Sequence, residues 1–231
     1  MESDNTCKLC SVNNSVFQTL NAQEQEYLES EKICRVYKRG QIIYNEGNRI
    51  NGVFCLNSGA LKIYKTGSDG KEQIVAFARE GDITGYRSIL SNEPACTTAS
   101  VIQEANICFI PSQVIIDLVK SNGDFSLSLM QLICKELNQA NSFIKDIAQK
   151  TVRERLAEAL LMLEKTFGTN NEDFLNIILT REELANIVGT ATESVIRLLS
   201  EFKSDSIIKM DGKRIKLSNR PHLEKLSKAF D

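Results

Sequence analysis

Apolar positions recur at two different periods along this chain, and the change falls at Pro111. Before it, runs of β-branched and aromatic residues alternate with polar ones at period two, the spacing of a strand with one buried face. The predicted strands are Val53–Leu56, Leu61–Tyr64, Gln73–Phe77, Ala99–Ile102 and Ile107–Ile110. Glycine recurs between them, at 40, 47, 52, 59, 67, 70, 81 and 85, and Ser68-Asp69-Gly70-Lys71 and Arg79-Glu80-Gly81-Asp82 read as turns. Many short strands at close spacing predict an antiparallel barrel, roll or sandwich.

After Pro111 the period becomes helical. Between Asn122 and Gln149 the apolar residues Met130, Ile133, Leu137, Ala140, Ile144 and Ile147 are spaced 3, 4, 3, 4, 3, a narrow heptad seam. A helix lying on its own β-domain would carry a broader apolar face, so the seam favours a coiled-coil homodimer over that simpler packing. Lys150-Thr151-Val152-Arg153-Glu154 restarts the pattern, with Thr151 and Glu154 spaced as a capping box. That helix runs to Phe167 and is closed by Gly168. The predicted division is residues 1–121, a dimerisation helix and hinge over 122–150, and a C-terminal domain over 151–231.

Residues 177–217 carry the strongest local signals. Thr180 to Glu183 is a second capping box, opening a short helix with Leu184, Ile187 and Val188 inward. Gly189 supplies a tight turn, and Thr190 to Glu193 reads as a third box opening another helix, with the cap equally able to sit one residue along. There Val195, Leu198, Leu199 and Phe202 face inward, leaving Thr192, Glu193, Ile196, Arg197 and Ser200 outward. Ile207–Met210 and Lys213–Leu217 flank Asp211-Gly212 as a hairpin with an expected type I′ turn. Helix-turn-helix plus hairpin is a winged helix, a plan that places its second helix in the DNA major groove.

Charge first argues against DNA and then for it. The 231 residues hold 28 Lys and Arg against 30 Asp and Glu, a net −2. Residues 197–228, however, hold nine basic groups and four acidic ones. The phosphates meet that local field rather than the total. No apolar run approaches the roughly 18 residues of a membrane span, and Met1-Glu2-Ser3-Asp4-Asn5 lacks a secretory plan. The protein is expected to stay in the cytoplasm, away from membranes. Its seven cysteines, an odd number, do not read as a disulfide framework. One histidine, no phosphate-cradling loop and no paired acids leave no enzyme chemistry to propose.

Thr180-Arg-Glu-Glu-Leu-Ala-Asn-Ile-Val-Gly-Thr-Ala-Thr-Glu-Ser-Val-Ile-Arg-Leu-Leu199 resembles the DNA-binding signature of the CRP/FNR regulators. Its core is Glu-(Thr/Ser)-hydrophobic-x-Arg. Gly40-Gln-Ile-Ile-Tyr-Asn-Glu-Gly47, Ser58-Gly-Ala-Leu-Lys-Ile-Tyr64 and Gly81-Asp-Ile-Thr-Gly85 resemble that family's sensor. The resemblance, closer to the FNR-like branch, implies an α+β chain. Its parts are an antiparallel β-roll sensor (a double-stranded β-helix or jelly roll), a long dimerisation helix and a winged helix-turn-helix. It implies a dimeric transcription regulator bound to a pseudo-palindromic double-stranded operator, with RNA polymerase as a further partner. Glu193 and Arg197 become the base readers, with Thr192 beside them; Glu can accept from cytosine N4 and Arg can bridge guanine O6 and N7. The plainer reading of that pair is an exposed i,i+4 ion pair. Thr180, Arg181, Thr190 and Lys213 become phosphate contacts.

The signal is less legible. The cyclic-nucleotide branch uses Gly-Glu-Leu for the ribose and Arg-Ser for the phosphate, where this chain has Gly85-Tyr86-Arg87 and Cys96-Thr97-Thr98. No Arg or Lys lies between Arg87 and Lys120, so cyclic AMP is not the expected effector. Gly85, Tyr86, Arg87, Thr97 and Thr98 remain the candidate effector pocket. The oxygen-sensing branch holds an iron–sulfur cluster on four cysteines. Cys7, Cys10 and Cys108 match three of those positions, but Val16 stands at the fourth, with Cys34 the nearest substitute. A cluster is therefore disfavoured. A second reading keeps the redox sensor and gives the winged helix protein rather than DNA partners.

Overall fold

The computed structural model describes residues 16–228, so Cys7 and Cys10 lie outside the described residues. The chain forms two compact units. Of the described residues, one comprises those up to Lys65 with Val75–Asn138; the other comprises Thr66–Ile74 with those from Gln139 to 228.

In the first unit a 3₁₀ turn, Val16–Thr19, leads into α1 (Ala22–Glu31). Asn21 and Glu24 close a capping box at its start. The strands are β1 (Ile33–Tyr37), β2 (Ile42–Tyr44), β3 (Gly52–Thr66), β4 (Glu72–Arg79), β5 (Ile83–Thr84) and β6 (Thr98–Pro111). They form one sheet of order β1-β6-β3-β4, with β2 on β6 and β5 on β3. β6 runs antiparallel to β1, β2 and β3. The four strands expected at 53–56, 61–64, 99–102 and 107–110 are halves of two long strands, β3 and β6. The register between them shifts at Leu56/Ser58, Ser58/Ala60 and Ala60/Leu61, so the pair bends without parting. Gly59 sits in that bend at φ +85°, where a Cβ would strike the Glu104 carbonyl.

Because the long strands are buried on both faces, adjacent residues serve different cores. Leu56, Leu61, Val101 and Ile107 fill one cluster with Tyr44. Val53, Cys55, Cys108 and Ile110 fill the other, which α3 (Ser112–Ser121) and α4 (Gly123–Gln149) cover through Val114, Ile115, Leu118, Phe125 and Leu129. Phe17 stacks on Phe125 at 5.7 Å and ties the chain's first described turn to the foot of α4. A short helix, α2 (Tyr86–Ser91), follows β5.

The cysteines depart from the sequence reading. Cys34 of β1 and Cys108 of β6 are register partners and are joined by a disulfide. Composition could not show this, because the pairing depends on which strands become neighbours and in what register.

In the second unit α5 (Val152–Phe167) starts on the Thr151–Glu154 capping box. α6 (Arg181–Val188), α7 (Thr192–Ser204), β7 (Ile208–Asp211), β8 (Arg214–Leu217) and α8 (Arg220–Ser227) follow. Phe202, Leu160, Val195 and Leu223 are fully buried at its centre. Two local expectations fail. The cap sits one residue along from Thr190, at Ala191, which offers no side-chain bond, so no capping box forms there. The hairpin pairs Asp211 with Arg214, so Gly212 and Lys213 make the turn. Only Gly212 has positive φ, the pattern of type II′ rather than I′.

Candidate nucleic-acid interface

The glycine turn sets α7 against α6. Gly189 adopts φ +71° and its N–H caps Ala185, as a left-handed C-cap requires. The four inward residues of α7 are all buried. That leaves Glu193, Ile196, Arg197 and Ser200 exposed on one face, with Thr192 half-buried at its start. The Glu193 side chain makes no hydrogen bond or ion pair among the described residues. Arg197 Nη1 donates to Glu201 Oε1 at 3.1 Å, its side chain 71% exposed. The plain Glu193–Arg197 pair therefore does not exist here; arginine turns to the next helical turn and leaves the glutamate open.

Backbone contacts fix this pair of helices. Arg155 of α5 donates to Val188 O (2.9 Å), Lys150 O (2.8 Å), Ile147 O (3.3 Å) and Gly189 O (3.4 Å). One guanidinium thus joins the end of α4 to the turn before α7. Arg153 pairs with Glu201 at 2.7 Å and Asp205 at 3.3 Å and lies over the Phe202 ring. Lys150 is buried between Asp146 and Glu158, 3.0 Å from each. From the 66–74 hairpin, Lys71 donates to Thr190 O at 2.8 Å and Gln73 to Asn186 O at 2.6 Å. Sequence reasoning missed Arg155, Lys71 and Gln73, since bonds to carbonyls leave no complementary charge in the pattern.

The predicted phosphate contacts occupy different settings. Thr180 is the N-cap of α6, accepting from Glu183 N at 3.0 Å. Thr190 is half-buried in the turn, and Lys213 stands exposed at the wing tip. Arg181 reaches inward instead, donating to Gly212 O at 3.0 Å, so it props the wing. Burial pulls its pKa below the ordinary guanidinium value. Pairing also thins the basic patch. Arg214 binds Glu172 and Asp211, Lys216 binds Asp173, and Arg220 binds Glu164 and Glu224. Glu164, Glu172 and Asp173 lie outside the 197–228 window and fold against it. The lysines at 203, 209, 213, 225 and 228 carry the open positive charge.

Along α4, Met130, Leu137 and Ile144 are 54%, 59% and 66% exposed, Ala140 is exposed, and Ile133 is half-buried. Ile147 is 40% exposed, and its Cδ1 would lie 3.0 Å from a Cβ at residue 189.

In the first unit Gly85 (φ +86°) opens α2 and sets Tyr86 inward and Arg87 outward. Arg87 spans Glu136 of α4 (3.4 Å) and the Cys96 sulfur (2.8 Å). Burial, with the Glu136 carboxylate adding to it, raises the Tyr86 phenol above its ordinary pKa. Burial likewise raises Tyr44, against the hydrogen bonds from Thr84 and Thr97. Thr98 accepts from Glu46 N at 2.9 Å. The pocket residues are thus brought together, but no open cation faces Thr97 and Thr98: Arg87 is held by Glu136, and Lys65 by Glu46. The described residues do not fit a cyclic phosphate in the family's usual manner. Nor do they fit a cluster, because the Cys34 and Cys108 sulfurs are bonded to each other. No described group of three or more His, Cys, Asp or Glu is placed to hold a metal.

Comparisons with known proteins bear on both units. Residues 34–122 match the cyclic nucleotide-binding domain and residues 154–226 the Crp-like helix-turn-helix domain. The fumarate and nitrate reduction regulatory protein of Vibrio cholerae is 27% identical over 226 residues, spanning 96% of this chain and 90% of that one. Its Escherichia coli K12 counterpart is 26% identical with the same coverage. Among solved structures, a crp/fnr-family transcriptional regulator from Eubacterium rectale superposes with TM-score 0.76 at 21% identity, covering 92% of this chain and 97% of that one. FixK2 of Bradyrhizobium japonicum gives 0.76 at 24%, covering 84% and 96%. No helix among the described residues is long and apolar enough to cross a membrane.

Proposed function

The chain belongs to the CRP/FNR family of transcription regulators, and from that premise we propose that it acts as a homodimer reading a pseudo-palindromic operator through Glu193 and Arg197. One observation carries the reading: the Glu193 and Arg197 side chains stand exposed on the outward face of α7, behind a glycine-capped turn. Ile196 between them is 48% exposed, an apolar group of the kind that meets a thymine methyl. Lys213 and Thr190 contact flanking phosphates, and Arg181 acts indirectly by holding the wing.

The α4 seam supplies the two-fold axis. Its open apolar residues pair with their copies, setting two α7 helices about one DNA turn apart, roughly 34 Å. A signal at the Tyr86–Arg87–Glu136 cluster or at the cysteines changes α4 and so the spacing of the readers. RNA polymerase is the partner that converts binding into a transcriptional output, as the family resemblance implies. Domain limits of 1–121, 122–150 and 151–231 suit this division of labour.

Selection of bound sequences from random duplex DNA, followed by a shift assay at fixed salt, tests it. The selected site should be two-fold symmetric, and Arg197→Ala should weaken it by about 1–3 kcal/mol with relaxed preference at one base pair per half-site. Unchanged specificity in that variant sinks the base-reading assignment.

A further inference from the structure

We propose that Cys34 and Cys108 form a reversible redox site, exchanging with small thiols and disulfides, whose state is felt at the foot of α4. The proposal rests on the signal-responsive reading above and names the chemistry of the signal. Three observations support it. The two residues are direct partners across β1 and β6, so their side chains meet on one face of the sheet. β1 is the edge strand and Cys34 is half-buried where Cys108 is fully buried, so the Cys34 side is the nearer one to solvent. Cys108 is fully buried in the cluster that contains Phe125 and Leu129, and Cys34, Leu132 and Ile133 pack on the same cluster. The bond therefore lies between the sheet edge and the base of the seam helix.

The chemistry balances with a low-molecular-weight disulfide as oxidant. The Cys34 thiolate attacks one sulfur of that disulfide, forming a mixed disulfide and expelling a thiolate. The Cys108 thiolate then attacks the Cys34 sulfur and expels the second. Two protein thiols lose two electrons, the small disulfide gains them, and the two released thiolates take up the two protons. A dithiol reverses both steps. Cys55 of β3 is also in register with Cys108, but it is fully buried on an inner strand, so entry is through Cys34. A sulfur in this bond has no thiolate to offer iron, so the disulfide and cluster ligation by Cys108 exclude one another.

When the bond is reduced, β1 is held by its ladder with β6 and by side-chain packing without the covalent link. Full-length protein equilibrated with oxidised glutathione or with dithiothreitol, alkylated, and mapped without reduction tests the bond itself. A Cys34–Cys108 peptide should appear with the first and vanish with the second. Hydrogen exchange then reads the consequence: amides of Ile33–Tyr37 should exchange about tenfold faster after reduction, with a smaller rise over Phe125–Ile133. Cys34→Ala should show the reduced pattern under both conditions, and Cys134→Ser should behave as wild type. Absence of the linked peptide under oxidised glutathione overturns the proposal, as does exchange that ignores the redox state. Neither readout uses DNA, so failure of the operator selection would point to the regulatory reading instead.

Discussion

At the residue scale, two arginines in the same motif have opposite fates. Arg197 is exposed and pairs with Glu201 on its own helix, a contact of a few tenths of a kcal/mol that DNA can displace. Arg181 is drawn under the wing and is bonded to Gly212 O. Sequence alone treats both as DNA contacts, because distance along the chain says nothing about which of two arginines meets a carbonyl. Lys213→Ala should weaken all duplexes alike and lower the slope of log affinity against log salt by about one, whatever the sequence. Arg181→Ala should instead lower stability, seen as a shift in the urea midpoint, since it leaves the wing turn without its prop. Gly189→Ala should destabilise by more than 1 kcal/mol: its φ is +71° and the added methyl would meet Ile147 and Gln73.

At the element scale, what was legible depended on local chemistry. The capping boxes at Thr151 and Thr180 form as read, because both partners lie within one turn. The box at Thr190 does not, since Gly189 already closes α6 and the chain enters α7 through Ala191. Thr151→Ala should cost about 1 kcal/mol by denaturant unfolding. β3 reads as two strands because the bend at Gly59 looks like a turn, and β6 because Gln103-Glu104-Ala105-Asn106 interrupts its apolar run; only the cross-strand register shows that pairing continues. α1 was missed because its residues, Ala22–Glu31, are polar on nearly all sides and only Leu28 is fully buried. For the seam, Leu137→Asp should place two like charges across the dimer axis. Sedimentation should then show monomers, and operator affinity should fall.

At the scale of the whole molecule, the electrostatic picture differs from the sequence count. Three acids from outside the basic stretch neutralise part of it, so non-specific DNA binding should be weak and carry a shallow salt slope, measurable on random duplex. The disulfide spans a sequence separation of 74, and closing such a loop should make the oxidised protein roughly 2–4 kcal/mol more resistant to urea than the reduced one. Fold order and the winged helix are legible in the sequence because they rest on periodicity, caps and glycine. The joint between α4 and the reader was not, because Arg155 makes it entirely with carbonyl oxygens. Carbonyls belong to every residue type. The joint itself therefore asks nothing of the side chains at 147, 150 and 188, which answer instead to the seam, to the Asp146 and Glu158 carboxylates and to the core, while residue 155 is fixed by the joint: lysine offers one nitrogen where four oxygens spread around a planar fork must be met. A single substitution at Arg155 would thus leave four main-chain oxygens, from the end of α4 to the turn before α7, without this donor.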